Sequence, residues 1–166
     1  MNTDDKIVYK PIIDLLTELG YIPQRQKSGG VLVLDFKNNR LKEKIAKISV
    51  KDTVGKKAGF SLKFYASSEY SQKFSDGVKS RCDWWLSANG IKYVKIIDGK
   101  YIACLFCGKC DNYVRAYRYT YPDGKTVICC GGELIRLANI TIDDIDELTK
   151  LIRNQHDFFL SEHKTM

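Results

Sequence analysis

Five of the six cysteines in this chain fall in one stretch: Cys104, Cys107 and Cys110, then the adjacent pair Cys129 and Cys130. Thiolates suit a borderline-soft dication, and a C-x2-C spacing brings two of them onto one tetrahedral ion. Cys107 has two alternative partners at that spacing, Cys104 and Cys110. The expected ligand set is Cys107, Cys110, Cys129 and Cys130, with Cys104 as the alternative ligand for one of them. Four cysteines close a site and leave no position for substrate, so the expected role is structural and the expected ion is zinc. An iron–sulfur cluster is the other metal form that such thiolates serve. Adjacent strand residues point opposite ways, so Cys129 and Cys130 share an ion only if the backbone turns at Gly131-Gly132. Cys82 sits on an apolar helix face and reads as a small core residue. His156 and His163 have no visible ligand partner and read as solvated.

A second group of residues suits a polyanion. The chain carries a formal net charge of +7, unevenly spread: residues 133–166 hold 4 Lys+Arg against 7 Asp+Glu, and residues 1–132 hold 23 against 13. A basic body attracts nucleic acid through its phosphates, with binding that weakens as salt rises. The candidate contacts are Arg25 and Lys27 in one basic segment, Lys56 and Lys57 in another, and Arg115, Tyr117, Arg118 and Tyr119 between the cysteine pairs. Tyr113, Arg115, Tyr117, Tyr119 and Tyr121 alternate onto one strand face, a pattern that suits base stacking beside phosphate contact. The plain alternative is a half-buried strand in which tyrosine is a good β-former.

The elements that must position these residues are legible from periodicity. Ile12, Leu15, Leu16 and Leu19 predict a helix over 11–19, opened by Pro11 and stopped by Gly20. Residues 21–30 read as a basic loop. Strands follow at 31–36, 45–50 and 60–65. Tyr70, Phe74, Val78, Cys82 and Trp85 predict a helix from Ser67 or Ser68 to about Leu86, with Trp84 off its buried stripe. Residues 91–97 and 100–103 form a hairpin around Asp98-Gly99, whose return strand runs into the first cysteine turn. A second hairpin spans Tyr113–Tyr121 and Thr126–Ile128. Thr141 to Asp144 resembles a capping box for a last helix with Ile142, Ile145, Leu148 and Ile152 on its buried side.

The expected fold is therefore α+β: an α-β-β-β-α-β core, a C-terminal zinc-stapled β-hairpin module and a terminal helix. The expected division is 1–100 for the core, 101–132 for the cysteine module, and 133–166 for a helical segment packing on the core. At 166 residues and 44% hydrophobic content, a core of this kind is affordable. No apolar run approaches the roughly 20 residues that span a bilayer. The polar N-terminus lacks a signal-peptide core. Both point to a cytoplasmic protein without a membrane partner, where clustered cysteines bind metal more often than each other.

Two resemblances sharpen these expectations. The turn Cys104-Leu105-Phe106-Cys107-Gly108-Lys109 resembles a zinc-ribbon knuckle, although a regular ribbon has a second C-x2-C where this chain has adjacent cysteines. The order of elements over about residues 11–97 resembles the core of the PD-(D/E)XK nuclease superfamily. That resemblance implies Mg²⁺-dependent phosphodiester hydrolysis, with an acid near the second strand, an acid-x-Lys on the third, and the lysine orienting the attacking water. Asp52 and Lys63 match those positions. Ser61 stands where the family has an acid, and some restriction endonucleases of the superfamily recruit the missing carboxylate from the following helix, which here offers Glu69 and Asp76. Glu18 on the first helix is a further carboxylate. Asp35-Phe36-Lys37 also reads acid-x-Lys, on what the sequence numbers as the first strand.

Three functional readings follow: a nucleic-acid-binding protein with a Mg-dependent DNA endonuclease core, a non-catalytic zinc-stabilised DNA- or RNA-binding accessory factor, and a phage or mobile-element protein that binds and inhibits a protein partner.

Overall fold

The computed structural model describes residues 3–28, 31–51, 58–104 and 114–165. They form two compact units, one drawn from residues 1–67 and 136–166, the other from residues 68–135. Asp52, Lys56, Lys57, Cys107, Cys110 and Tyr113 lie outside the described residues. The class is α+β, with helices and strands in separate runs. The division does not fall near residue 100, so the hairpin at 94–103 stays in one body with the second helix and the strands that carry Cys129 and Cys130.

The first unit opens with helix α1 (Thr3–Glu18). It begins well before Pro11, the expected start. Pro11 is exposed, as is Ile7 at 59%, so the Ile7 carbonyl that proline cannot bond lies on the solvent side, where the loss is mildest. Tyr9, Ile12, Leu15 and Leu16 form the buried stripe. Gly20, at φ +81°, ends the helix. The Tyr21 amide bonds the Leu16 carbonyl at 2.9 Å and the Gly20 amide bonds Thr17 at 3.0 Å, which together make a Schellman closure.

An antiparallel meander follows: β1 (Ile22–Ser28), β2 (Val31–Asn38), β3 (Glu43–Lys51) and β4 (Gly59–Leu62). Four strands, not three, therefore separate the first two helices. The expected loop at 21–30 is β1, an edge strand paired only with β2. Its Pro23, Arg25 and Lys27 hide it from a pattern search, yet those are the residues that protect a sheet edge. Register sets the faces. Leu34, Ile48 and Phe60 lie in one row and Phe36, Ala46 and Leu62 in another, giving an apolar side on which Tyr9 of α1 meets Phe60 with ring centroids 5.9 Å apart. The opposite side carries the polar row Gln24, Asp35, Lys47 and Ser61.

Strand β9 (Ile135–Leu137) closes the sheet beside β4. Thr141 and Asp144 then form the expected capping box, with Asp144 Oδ2 accepting from the Thr141 amide at 2.7 Å. Helix α3 (Ile145–Thr165) follows and buries Leu148, Leu151, Ile152 and Phe159.

The second unit begins with α2 (Gln72–Leu86), which buries Phe74, Val78, Cys82 and Trp85, the expected stripe. It starts later than Ser67 or Ser68, with Ser71 at the cap position. A 3-10 turn at Ile91–Tyr93 replaces the first half of the expected strand. Then come β5 (Val94–Ile97), β6 (Lys100–Ala103), β7 (Ala116–Thr120) and β8 (Thr126–Cys130), arranged β5-β6-β8-β7. Asp98 and Gly99 both have positive φ, as a two-residue hairpin turn requires. Strands β6 and β8 are parallel neighbours, which sets the strand that ends just before Cys104 beside the strand that carries Cys129 and Cys130.

Candidate functional site

The parallel register pairs Tyr101 with Val127, Ile102 with Ile128 and Ala103 with Cys129. Cys104 directly follows Ala103, and its amide donates to the Tyr93 carbonyl at 3.4 Å. Both Cys129 and Cys130 belong to β8, and alternation sends them to opposite faces. Cys129 is 1% exposed and its sulfur lies 3.5 Å from that of Cys82 on α2. Tyr117, its neighbour on β7, is 2% exposed on the same face. The hydrogen bond shared with Cys82, and then burial, push the Cys129 thiol up.

Cys130 and Cys104 are half-buried and line a cavity of about 10 Å³ at the strand ends, together with Ile102, Arg115, Ala116 and Ile128. Cys129 also borders that cavity. The Gly132 amide donates to Cys130 Sγ at 3.3 Å, and a Cβ on Gly132 would meet the same sulfur at 3.3 Å. The Gly131 amide bonds the Arg115 carbonyl at 2.9 Å, so the turn after β8 is fixed against the start of β7. Among the described residues, no three His, Cys, Asp or Glu side chains gather at one point.

The tyrosines of β7 lie on the α2 side of the sheet. Tyr117 is core and presents no face to a base. Tyr121 donates to Asp83 of α2 at 2.6 Å, and its ring stands 4.9 Å from that of Tyr119. Asp83 also pairs with Lys79 at 2.7 Å. Tyr119 and Tyr121, on the same side of the sheet, are half-buried. Trp84 is 43% exposed with the Arg81 guanidinium 4.5 Å above its ring. Arg81 also pairs with Glu133.

The other face of this sheet has a buried apolar centre, Ile102 and Ile128, with exposed cations at its margins. One row runs Lys95, Ile102, Ile128, Arg118, and the next runs Ile97, Lys100, then Thr126 and Thr120. Lys95, Lys100 and Arg118 are exposed, and neither row contains an acid. Lys95 and Lys100 were legible in principle, because the two-residue turn at Asp98-Gly99 fixes which hairpin residues share a face.

In the first unit, Lys63 is not a lysine aimed at solvent. It is 7% exposed, with Nζ 3.2 Å from Glu43 Oε2 and 5.9 Å from the centre of the Phe159 ring. Glu69 and Asp76 belong to the other unit. Glu69 is exposed and precedes α2 rather than riding on it, and Asp76 accepts from Gln72 at 2.7 Å. Arg25 and Lys27 are exposed on β1. Adding β1 also renumbers the acid-x-Lys at Asp35: it now falls on the second strand. Asp35 is 6% exposed, lies opposite Lys47, and pairs with Lys44 at 3.5 Å. The apolar residues on both sides of Asp35 conceal this half-exposed pair from a reading of the sequence.

No described helix is long and apolar enough to cross a membrane. No protein-family model, curated protein or solved structure matches this chain.

Proposed function

We propose that this chain binds nucleic acid through the exposed cations on one sheet face of its 68–135 unit, with a structural zinc ion fastening the cysteine-bearing strand ends of that unit. The observation that supports this reading is the set of three exposed cations, Lys95, Lys100 and Arg118, that share one face of the sheet. Phosphates that meet such cations release condensed counterions, which gives affinity without sequence readout. Four cysteine thiolates would supply the zinc site, and a closed site of that kind adds stability rather than chemistry.

The reading is binding without hydrolysis. A nuclease of the kind the sequence resembles needs a lysine available to a water molecule, and Lys63 is engaged by Glu43 and nearly buried.

Fluorescence anisotropy with labelled single-stranded DNA, duplex DNA and RNA tests the proposal. Three phosphate contacts predict a slope of about −3 in log affinity against log salt for a duplex. Lys95→Glu and Arg118→Glu are expected each to weaken binding by about tenfold or more and to flatten that slope. Absence of binding to all three ligands at low salt, or binding untouched by both reversals, overturns the reading.

A further inference from the structure

We infer that the hollow beside β4 and β9 in the first unit is a site for a phosphoryl group, the dianionic head of a phosphomonoester, with Arg136 as its cation. It belongs to the other unit from the nucleic-acid surface proposed above and does not rest on that reading.

The hollow measures about 190 Å³ and is walled by Ser49 of β3, Ala58 and Gly59 at the start of β4, and residues 136–139 along and just past β9. Small side chains make it: Ala58, Gly59 and Ala138 leave space that larger residues would fill. The cavity beside Cys130, at about 10 Å³, has room for a water at most. Whole drug-sized ligands need roughly 300–1,000 Å³, so the larger hollow suits a head group and not an entire nucleotide.

Alternation directs the wall residues. Ile48 faces the apolar side of the sheet, so Ser49 and its cross-strand partner Gly59 lie on the opposite side. A Cβ on Gly59 would stand 3.8 Å from the Ser49 Cβ. On β9, Ile135 and Leu137 are buried and Arg136 between them is exposed, so its side chain leaves away from theirs. Asn139 follows at φ +50°, a left-handed conformation that asparagine tolerates better than most residues.

The chemistry of this wall favours a tetrahedral oxyanion. A guanidinium presents a rigid fork that matches two phosphate oxygens. A serine hydroxyl and an asparagine amide add donors for a third oxygen, which a planar carboxylate lacks. None of the described wall residues is acidic. The next row of the same face does hold an acid, Asp35, but Lys44 pairs with it at 3.5 Å and Lys47 lies opposite.

The test is an NMR titration of the full chain with inorganic phosphate, against sodium chloride at matched ionic strength. The amides of Ser49, Gly59 and Asn139 are expected to shift saturably with phosphate and not with chloride. Arg136→Ala is expected to weaken phosphate binding by about tenfold or more, and Arg136→Lys to restore only part, because an ammonium keeps the charge and loses the fork. Gly59→Val fills the hollow and is expected to abolish the shifts. Adenosine monophosphate against adenosine, and a trinucleotide with and without a terminal phosphate, separate a free nucleotide from a nucleic-acid end as the source; phosphate-dependent shifts with either support the site. Equal shifts with phosphate and chloride, or acetate binding as tightly as phosphate, overturn the inference. Phosphate shifts confined to the 68–135 unit overturn it and leave the nucleic-acid reading standing. The wild-type titration needs no substitution, so it decides the matter even where a variant fails to fold.

Discussion

Lys63 Nζ lies 3.2 Å from Glu43 Oε2, with the two side chains only 9% and 17% exposed. The pair joins the chain just past β4 to the start of β3, and the Phe159 ring of α3 stands beside the lysine. Removing one partner of such a pair strands the other charge out of water. Lys63→Ala is expected to destabilise the chain by about 3 kcal/mol. The double change Lys63→Met with Glu43→Gln is expected to cost clearly less, because no charge is left behind and the methionine keeps the aliphatic stem. Urea unfolding followed by far-UV circular dichroism measures both. Equal losses in the two variants would mean the pair is not held as described.

Gly90 packs where no side chain fits. A Cβ there would stand 2.6 Å from the Trp85 Cα and carbonyl oxygen and 2.7 Å from the Trp84 carbonyl oxygen. The backbone at Gly90 is right-handed, at φ −100°, so the demand is for close approach and not for a special dihedral. Gly90→Ala is expected to cost on the order of 3 kcal/mol, whereas exposed Asn89→Ala stays within about 0.5 kcal/mol. Both tryptophans of the chain, Trp84 and Trp85, lie in this unit. Their fluorescence therefore follows the effect there and not in the other unit.

His156 Nδ1 lies 3.3 Å from the Tyr21 hydroxyl, with the rings edge to face at 5.7 Å. Burial, then Glu43 and Tyr65, push the Tyr21 phenol up, so it remains a donor. Burial lowers His156 below 6.5, Asp157 opposes that shift, and Arg153 adds to it. Below 6.5 the unfolded chain takes up this proton more readily than the folded one. The contribution is therefore constant above 6.5 and is lost as pH falls through the lower folded value. The urea midpoint is expected to drop between about pH 7 and about pH 5, and His156→Gln to make that drop smaller. An unchanged drop in the variant would place the titrating group elsewhere.

Wherever one short stretch carries its own instruction, the sequence was enough. The α2 stripe, the Asp98-Gly99 turn, the capping box at Thr141 and the C-terminal helix each follow from residues a few positions apart, and each is present. The α+β class follows from them. Edge strand β1 escaped because an edge is stabilised by a neighbour's backbone and protected by the polar residues that read as loop. The position of Lys63 escaped for a related reason. A lysine on the polar side of an alternating strand looks solvated until Glu43, twenty residues earlier, and Phe159, near the other end of the chain, are brought beside it. The cysteine cluster divides the same way. Its spacing raises the expectation of a metal site from one dimension, because ligand number and reach are local properties. That Cys129 meets Cys82 of α2, at 3.5 Å between sulfurs, was decided only by the tertiary packing, since helix-on-sheet contact is non-local and side-chain direction reverses at every strand residue.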